Sequence, residues 1–462
     1  MAKQSREGRE NRMLNEAMPR LIISMALPAI IAFLINSIYS LADTYFVSKL
    51  GTNATAAVSV NSSLDQIIFM AGSLLAIGAA SYISRLLGAG EREKANQVLS
   101  TAFFLAFAFG ALVLLLGSVF MHPMVRMLGA TDSCERYSIE YATYVLLVAP
   151  LMAGNFVMNQ CLRAEGNAML SMIGMASGGI LNCFLDPIFI FTLNLGVAGA
   201  SMATAISKLV TFVILIYPYI THRCTLRMSL KKVRIEWGIM EQIISIGSSS
   251  MFRSGLAVVA AILLNQIAGR ISDSVLAGIG VSTRVMMFPM GVILGIGTGF
   301  QPVAGFSWGA GRYDRVRESF RVSSRMGILS GAVMGILLAV FAQGTIGLFA
   351  KTDPAMQEIG ALCIRIQCLA LPVHAWVAIV NMFCAGLGDA KGALLLSTAR
   401  QGSCFVPLVP VLAALFGAYG VASAQGCADL LTLALAIPTY RRISRRVRET
   451  EERSLAEQAS IL

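Results

Sequence analysis

The sequence predicts an all-α polytopic membrane protein with twelve transmembrane helices, arranged as two six-helix lobes. Three observations predict this fold: few charged residues, long apolar runs and an internal repeat. The chain has 462 residues, of which 56% are hydrophobic and only 13% are charged, and its mean hydropathy is +0.71. A soluble domain carries about 25% charged residues.

The apolar runs have the length of membrane-spanning helices. Residues 102–120 read AFFLAFAFGALVLLLGSVF, and a helix needs roughly 20 apolar residues to cross a bilayer. The strands of a membrane β-barrel would alternate polar and apolar residues, which this run does not do. We predict spans at residues 21–47, 54–84, 97–121, 137–162, 168–193, 197–220, 239–268, 275–307, 322–349, 356–385, 392–416 and 420–440.

The basic residues predict how the chain is oriented. If the N-terminus faces the cytoplasm, the inside segments hold 26 of the 36 Lys and Arg residues, and the outside loops hold 5. Positive residues favour the cytoplasmic side of a membrane, so we expect both termini in the cytoplasm and the chain in the bacterial inner (plasma) membrane. This asymmetry accounts for the net charge of +11, and we expect no nucleic-acid partner.

An internal repeat divides the chain into two halves. GAASYISRLLGAGEREK (78–94) aligns with GFQPVAGFSWGAGRYDR (299–315), at an offset of 221 residues. Thr131-Asp132 and Thr352-Asp353 keep the same order, as do Pro150 and Pro372. The predicted bounds are an N-terminal cytoplasmic segment 1–20, an N-lobe 21–220, a basic cytoplasmic linker 221–238, a C-lobe 239–440 and a cytoplasmic tail 441–462. Such repeats are common in transporters, although a channel or an enzyme could also be duplicated.

Asp43 is a carboxylate within the first predicted span, in SLADTYFV. Tyr39 precedes it by one helical turn and Asn36 by a further turn, which gives one polar stripe on a helix. Asp43 could be a solvated residue near the outer end of the helix, or a carboxylate that binds a coupling ion.

Asp186 lies in another apolar run, LNCFLDPIFIF (181–191), one turn after Asn182. An ionised carboxylate in hydrocarbon is costly, so such residues are usually functional. The residue before a proline often ends a helix, but the apolar run continues for about two more turns. An amide and a carboxylate on one helix face provide oxygen ligands for a hard cation, or a hydrogen-bond partner for a protonated acid.

These stretches, taken in order, resemble the multidrug and toxic compound extrusion (MATE) family over about residues 15–440. The resemblance is carried by LPAI (27–30), SIYSLADTYFVSKLG (37–51), GAGEREKA (88–95), LNCFLDPIFIF (181–191), GVAGASMATAIS (196–207), GIGTGFQPVAGFSWGAGRYDRV (295–316) and CAGLGDAK (384–391). It implies a twelve-helix, two-lobed fold. It also implies antiport, in which small and often cationic amphipathic drugs or metabolites leave as H⁺ or Na⁺ enters.

The resemblance also implies roles for particular residues. It places Asp43, Asn182 and Asp186 in an ion-coupling cluster of the N-lobe, typical of the DinF-like branch, together with the hydroxyl of Thr204 and the backbone carbonyl of Ala200. Three further residues are candidates to line the substrate pocket: Asn36, Tyr39 and Asn159. Pro28 is a candidate kink in the first helix. We expect no cofactor, and no metal site beyond Na⁺ at this cluster.

The C-lobe departs from part of the family, in which some members carry acidic ion ligands on the seventh and tenth helices. The equivalent stretches here are 245–257, with Arg253, and 371–378, with His374. Neither stretch contains an acid, which favours the N-lobe cluster as the ion site. Other charged residues fall within or near spans without an assigned partner or role: Asp65, Lys208, Arg284, Arg365, Arg400 and Asp429.

The predicted function is therefore secondary active efflux by alternating access, in a chain that is not an enzyme. One alternative is a flippase for lipid-linked precursors in the same superfamily. A more distant alternative is an intramembrane enzyme, although we find no aspartate-rich metal motif and no Ser/His pair. We expect a small-molecule substrate and membrane lipid as partners, and a monomer.

Overall fold

The computed structural model describes residues 2–347 and 353–461, and within them every regular element is a helix. This confirms the predicted all-α class. Two π-helical segments, Ile188–Thr192 and Ala399–Ser403, follow α7 and α13, and a short 3₁₀ turn occupies Leu230–Lys232. The α-helices are α1 (Ala2–Asn15), α2 (Met18–Ser48), α3 (Thr52–Gly88), α4 (Arg92–Val119), α5 (Met121–Met127), α6 (Glu135–Ala164), α7 (Ala168–Pro187), α8 (Gly196–Ile220), α9 (Trp237–Ile271), α10 (Asp273–Gly309), α11 (Tyr313–Gly347), α12 (Pro354–Gly386), α13 (Ala390–Thr398) and α14 (Phe405–Ile461).

Eleven helical stretches of the described chain are long and apolar enough to cross a membrane, and the last one, Ala390–Glu457, contains two predicted spans. α14 has 57 residues and would be about 85 Å long if it were straight, far more than a bilayer requires. Its backbone leaves the helical region at Gly417, where φ is 57° and ψ is −130°. Gly420 packs against the backbone carbonyl of Leu412, so the chain turns back on itself there. The twelve predicted crossings are therefore accounted for.

The chain forms two compact units. The N-terminal unit comprises Met1–Leu14 and Ile31–Gly247, and the C-terminal unit comprises Asn15–Ile30 and Ser248–Leu462. The predicted lobe bounds follow the order of the spans along the chain, whereas these units follow packing. Residues 21–30 therefore group with the C-terminal unit, and residues 239–247 with the N-terminal unit.

Close backbone contacts at glycines explain this grouping. In the C-terminal unit, a Cβ added to Gly299 would lie 2.6 Å from the Cα of Ala26, so the start of α2 packs directly on α10. In the N-terminal unit, Gly78 of α3 packs in the same way against the backbone of Ile243, near the start of α9. Any side chain larger than hydrogen would force these helix pairs apart.

The internal repeat is visible in equivalent helices. α6 and α12 are the central helices of their units, because 78% and 67% of the residues in their most apolar stretches are buried. Each contains a proline, Pro150 or Pro372. Gly110 packs against Pro150, and Gly331 packs against Pro372. The prediction of two related six-helix halves is confirmed.

The segment between α8 and α9 is anchored to the N-terminal unit by Glu165, a buried residue at the end of α6. Its carboxylate accepts hydrogen bonds from the Tyr219 hydroxyl at 3.0 Å and from the backbone N–H groups of Thr225 at 2.8 Å and Leu226 at 3.1 Å. These donors offset the cost of burying a charge. The segment is therefore held against the ends of the helices rather than left as a free linker.

Candidate functional site

Three predicted ion-coupling residues meet where α7 packs on α8. Asp186 is fully buried near the end of α7, and Asn182 lies one turn before it with 1% exposure. The Asn182 side-chain Nδ2 donates a hydrogen bond to Thr204 Oγ1 on α8 at 3.2 Å. Ala200, the fourth candidate, is buried one turn before Thr204.

The local backbone places Asp186 at a helix irregularity. Pro187 has no N–H to donate to the preceding turn of the helix. The chain remains helical beyond it, but as the π-helical segment Ile188–Thr192. The Asp-Pro pair therefore alters the helix without ending it.

Asp43 lies inside α2, which continues to Ser48, and only 9% of its surface is exposed. The interpretation of Asp43 as a solvated residue is therefore not supported. One turn before Asp43, Tyr39 packs on Gly179 of α7, where an added Cβ would lie 3.7 Å from the Tyr39 Cβ. The structure thus brings Asp43 to the cluster of α7 and α8.

Several carboxylate and amide oxygens of this cluster lack hydrogen-bond partners. Among the described residues, no donor meets the geometry of a hydrogen bond to either carboxylate oxygen of Asp186, to Oδ1 of Asp43 or to Oδ1 of Asn182, although the Asn182 amide is close enough to Asp186 to interact with it. Burying an ionised carboxylate without a partner costs several kcal/mol, roughly. A proton or a hard cation bound by these oxygens would remove that cost. The cluster can therefore hold H⁺ or Na⁺.

Two further charged residues belong to this region. Lys208 of α8 has its ammonium nitrogen 5.4 Å from the centroid of the Tyr39 ring, and it interacts electrostatically with Asp65 and Asp43. The sequence shows Asp65 and Lys208 as charges within predicted spans but does not indicate their partners. The missing information was the packing of α2 and α3 near α8.

A cavity of about 590 Å³, counting space open to solvent, lies in the N-terminal unit next to the cluster. Asn36, Tyr39 and Asn159, the predicted lining residues, all face it, as do Asn182 and Thr204. The predicted ion-coupling residues therefore lie next to the residues that are candidates to contact a ligand.

Asn159 has less freedom to bind a ligand than the other lining residues. Its Oδ1 accepts a hydrogen bond from the buried Arg163 at 2.8 Å, and its Nδ2 donates to the backbone carbonyl of Ser171 at 3.2 Å. Both polar atoms of the amide are thus already engaged. Asn159 holds Arg163 and α7 in place. A ligand would therefore pack against Asn159 rather than form a hydrogen bond with it.

The C-terminal unit also contains a buried carboxylate, Asp429, which is 3% exposed. Arg400 Nε donates to its Oδ1 at 2.6 Å, and His374 Nδ1 lies 3.9 Å from the same oxygen. Arg253 bonds instead to the Ser250 hydroxyl at 3.3 Å. Sequence reasoning missed the Arg400–Asp429 pair, although opposite charges in neighbouring predicted spans were a signal for it.

Pro28 lies inside α2, and helical structure continues through it. It stands two residues before Ile30, where the chain passes from the C-terminal to the N-terminal unit. A proline removes one backbone hydrogen bond from a helix. Pro28 is therefore placed to weaken α2 close to this boundary, and its role as a kink stays a prediction.

Known proteins resemble this chain along most of its length. Multidrug export protein MepA of Staphylococcus aureus (strain N315) is 28% identical over 404 residues, which cover 87% of this chain and 88% of that protein. A crystal structure of MATE in complex with MaL6 matches with a TM-score of 0.90 at 23% identity, covering 95% of this chain and 99% of that one. An outward-facing multidrug resistance MATE family transporter of the MOP superfamily matches with a TM-score of 0.89, also at 23% identity, covering 95% and 98%.

The model of the MatE family matches twice, over residues 28–188 and 250–411. The two matches begin one repeat length apart, so each half of the chain carries the family pattern. Together they cover well over half of the chain. The chain belongs to the MatE family.

Proposed function

We propose that the chain exports small cationic or amphipathic drugs or metabolites in exchange for H⁺ or Na⁺, by alternating access. Membership in a family of multidrug efflux transporters and the relative named multidrug export protein MepA support drug efflux. The observation that carries the ion-coupled part is Asp186, which is fully buried with both carboxylate oxygens unpartnered among the described residues.

Charge balance supports an exchange between substrate and ion. Asp43, Asp65 and Asp186 interact with the region around Tyr39, which also contains Lys208. With all three carboxylates ionised, these four residues have a net negative charge that would attract a cationic substrate to the cavity. Entry of H⁺ or Na⁺ at Asp186 and Asp43 would cancel that charge, so substrate and coupling ion would compete. Competition of this kind couples the two fluxes.

Asn182 is positioned to link the carboxylates to the cavity. It lies one turn from Asp186 on α7, it lines the cavity, and it donates to Thr204. Its Oδ1 has no donor among the described residues, and this oxygen could ligate Na⁺ or accept a hydrogen bond from a protonated Asp186. In either case the amide would respond to ion binding and alter one wall of the cavity.

Family membership agrees with the prediction that the chain is not an enzyme, because the family consists of transporters. The flippase alternative is not favoured, since the matched relative is a multidrug export protein. Many apolar helices and bacterial relatives support a multi-pass bacterial membrane protein. Cytoplasmic termini, lipid contact and a monomeric state are part of this proposal.

The test is export of a fluorescent dye from proteoliposomes under imposed gradients. One arm has a pH gradient without sodium, and the other has a sodium gradient at equal pH. We expect export in one arm only, and its loss in Asp43→Asn. The matched control is Asp132→Asn, because the Asp132 side chain is 95% exposed and pairs with Arg126 outside the cluster. Export by Asp43→Asn at the native rate would contradict the proposed site.

A further inference from the structure

A basic pocket in the C-terminal unit lies apart from the buried Arg400–Asp429 pair and is not used by the proposed transport mechanism. Residues of α11, α12 and the last part of α14 line about 790 Å³ of empty space, counting the part open to solvent. Arg317, Arg321 and Arg325 come from α11, and Arg448 comes from α14. We call this site the arginine pocket.

The α11 arginines are spaced by four residues, so they lie on one face of the helix. Like charges at this spacing repel one another and destabilise a helix. Arg317 is neutralised by Glu451 of α14. Over residues 2–347 and 353–461, no carboxylate forms an ion pair with Arg321, Arg325 or Arg448. The pocket therefore keeps three guanidinium groups that no ion pair of the described chain neutralises.

A serine adds a polar group beside these arginines. Ser324 lines the pocket and is 7% exposed. Its hydroxyl oxygen has no hydrogen-bond partner among the described residues. Buried polar groups in folded proteins are nearly always hydrogen-bonded. Its oxygen is closed off from the pocket space in this rotamer, so a ligand with acceptor oxygens would bond to the guanidinium groups directly and to this hydroxyl once the side chain rotates.

The base of the pocket is aromatic and well ordered by ring packing. The rings of Phe320 and Tyr440 stack with centroids 4.6 Å apart, and Trp376 meets Tyr440 edge-on at 5.8 Å. Aromatic rings next to cationic side chains suit a ligand with a charged end and an apolar or glycerol-like remainder. The sequence predicts that residues 308–325 and 441–453 face the cytoplasm, where anionic lipids attract basic segments.

We propose that the arginine pocket binds a phosphate-bearing anion through Arg321, Arg325, Arg448 and Ser324. Guanidinium groups bind phosphate oxygens with short, charge-assisted hydrogen bonds. The same chemistry could come from the headgroup of an anionic phospholipid or from a soluble phosphate compound. The two sources are separated in the test below.

Trp376 provides a reporter inside the pocket. The variant Trp237→Phe plus Trp308→Phe leaves it as the sole tryptophan, since the chain has three. This protein is placed in phosphatidylcholine nanodiscs with increasing fractions of phosphatidylglycerol whose acyl chains carry bromine, a quencher of tryptophan fluorescence. Phosphatidylcholine with the same brominated chains gives the non-specific level. We expect phosphatidylglycerol to quench at a much lower fraction than this reference.

The decisive comparison uses two double variants that remove equal charge. Arg321→Gln plus Arg325→Gln removes two positive charges from the lining of the pocket. Arg441→Gln plus Arg445→Gln removes two exposed charges of α14 that do not line the pocket. We expect the first to raise the phosphatidylglycerol fraction for half-quenching about ten-fold, and the second to change it little. All four arginines are exposed, so both variants should fold, which unchanged thermal unfolding would verify.

Equal shifts in both double variants, or no shift in either, would overturn the proposal, as would equal quenching by the two brominated lipids. Millimolar inorganic phosphate, added at constant ionic strength, distinguishes the sources. Relief of quenching by phosphate would show that soluble phosphate compounds share the site. Persistent quenching, with the shift still confined to the pocket variant, would assign the site to the lipid headgroup.

Discussion

Asp186 in the N-terminal unit and Asp429 in the C-terminal unit are similarly buried but have opposite surroundings. Neither oxygen of Asp186 has a cationic partner or a well-formed hydrogen bond among the described residues, and its polar neighbour is the neutral amide of Asn182. Asp429 accepts a 2.6 Å hydrogen bond from Arg400 and a longer one, at 3.4 Å, from Gln425. A carboxylate that already has a cationic partner gains little from binding another cation. Burial alone therefore does not single out a candidate ion site, whereas the lack of a cationic partner favours Asp186 over Asp429.

The repeat shows how the two units diverged. At the offset of 221 residues, Met286 stands where the N-terminal half has Asp65, and Met286 belongs to an apolar core cluster. The central helices α6 and α12 and their glycine–proline contacts are kept in both units. The duplicated helices preserved the fold, while the buried carboxylate oxygens without partners in the described chain all lie in the N-terminal unit.

The largest expected effect comes from Asp186→Asn. This change keeps the shape of the side chain but removes the charge that would bind the coupling ion, so export should fall to the level of vesicles without protein. Asp43→Asn should behave alike. Dye export from proteoliposomes measures both, with Asp132→Asn as the exposed control. If Asp186→Asn kept most of the native rate, the contrast between the two units would have no functional meaning.

A large effect of another kind is expected in the C-terminal unit. Asp429→Asn should destabilise the protein by about 2 kcal/mol, because it leaves the partly buried Arg400 without its counter-charge. Arg400→Gln combined with Asp429→Asn should recover much of that loss. Thermal unfolding of the two single variants and the double variant in detergent gives the coupling between them. Additive effects would mean that the pair contributes no mutual stabilisation.

Thr204→Val should have an intermediate effect. It removes the acceptor for Asn182 Nδ2, a hydrogen bond worth about 1 kcal/mol, and so frees the amide to rotate. The ion concentration for half-maximal export should rise about five-fold. Thr204→Ser keeps the hydroxyl and serves as the matched control. A native response in Thr204→Val, or an equal shift in Thr204→Ser, would exclude this role of the hydroxyl.

The smallest effect is expected at Asp353, which we compare with Asp132, its counterpart in the repeat. Asp353 begins α12 and accepts hydrogen bonds from Ser274 Oγ and Met356 N–H, which lower the pKa of its carboxyl group. Because the pKa is lower in the folded state, the ionised carboxylate stabilises the fold at pH values above the unfolded-state pKa of about 4. That stability is lost as the pH falls through the folded-state pKa. Asp353→Ala should lower Tm by about 2 °C at neutral pH, and the difference from native should narrow in acid.

Asp132→Ala is the control for this change, since the Asp132 side chain is 95% exposed and bonds only to Arg126 in the described chain. Its Tm should match the native value across the same pH range. Equal decreases for both alanine variants would indicate a general effect of losing an acid from these loops, rather than the loss of a helix cap.

Much of the fold could be predicted because it depends on local properties of the sequence. Apolar length determines the spans, and the repeated GAG and proline positions reveal the two halves. The grouping of residues 21–30 with the C-terminal unit could not be predicted, since it depends on backbone contacts such as Gly299 with Ala26, far apart in sequence. Residue type indicated Asp43, Asn182 and Asp186 as candidates and the family resemblance added Thr204, but neither showed which oxygens lack partners.

The Arg400–Asp429 pair and the arginine pocket had only weak signals in the sequence, for a related reason. Each depends on how helices from different parts of the chain are rotated about their axes. Apolar helices in a membrane protein show only a weak polar face, so the sequence carries little information about that rotation. The spacing of Arg317, Arg321 and Arg325 was the one local signal of the pocket.

The central claim is that substrate and coupling ion compete at the carboxylates of the N-terminal unit. The most direct test is ion release on addition of a transported dye to purified protein in weakly buffered detergent, followed with pH-sensitive and sodium-sensitive electrodes. We predict that the dye displaces H⁺ or Na⁺ from the native protein and from Arg400→Gln plus Asp429→Asn, but not from Asp186→Asn. Undiminished release from Asp186→Asn, or loss of release in the C-terminal double variant, would contradict this account.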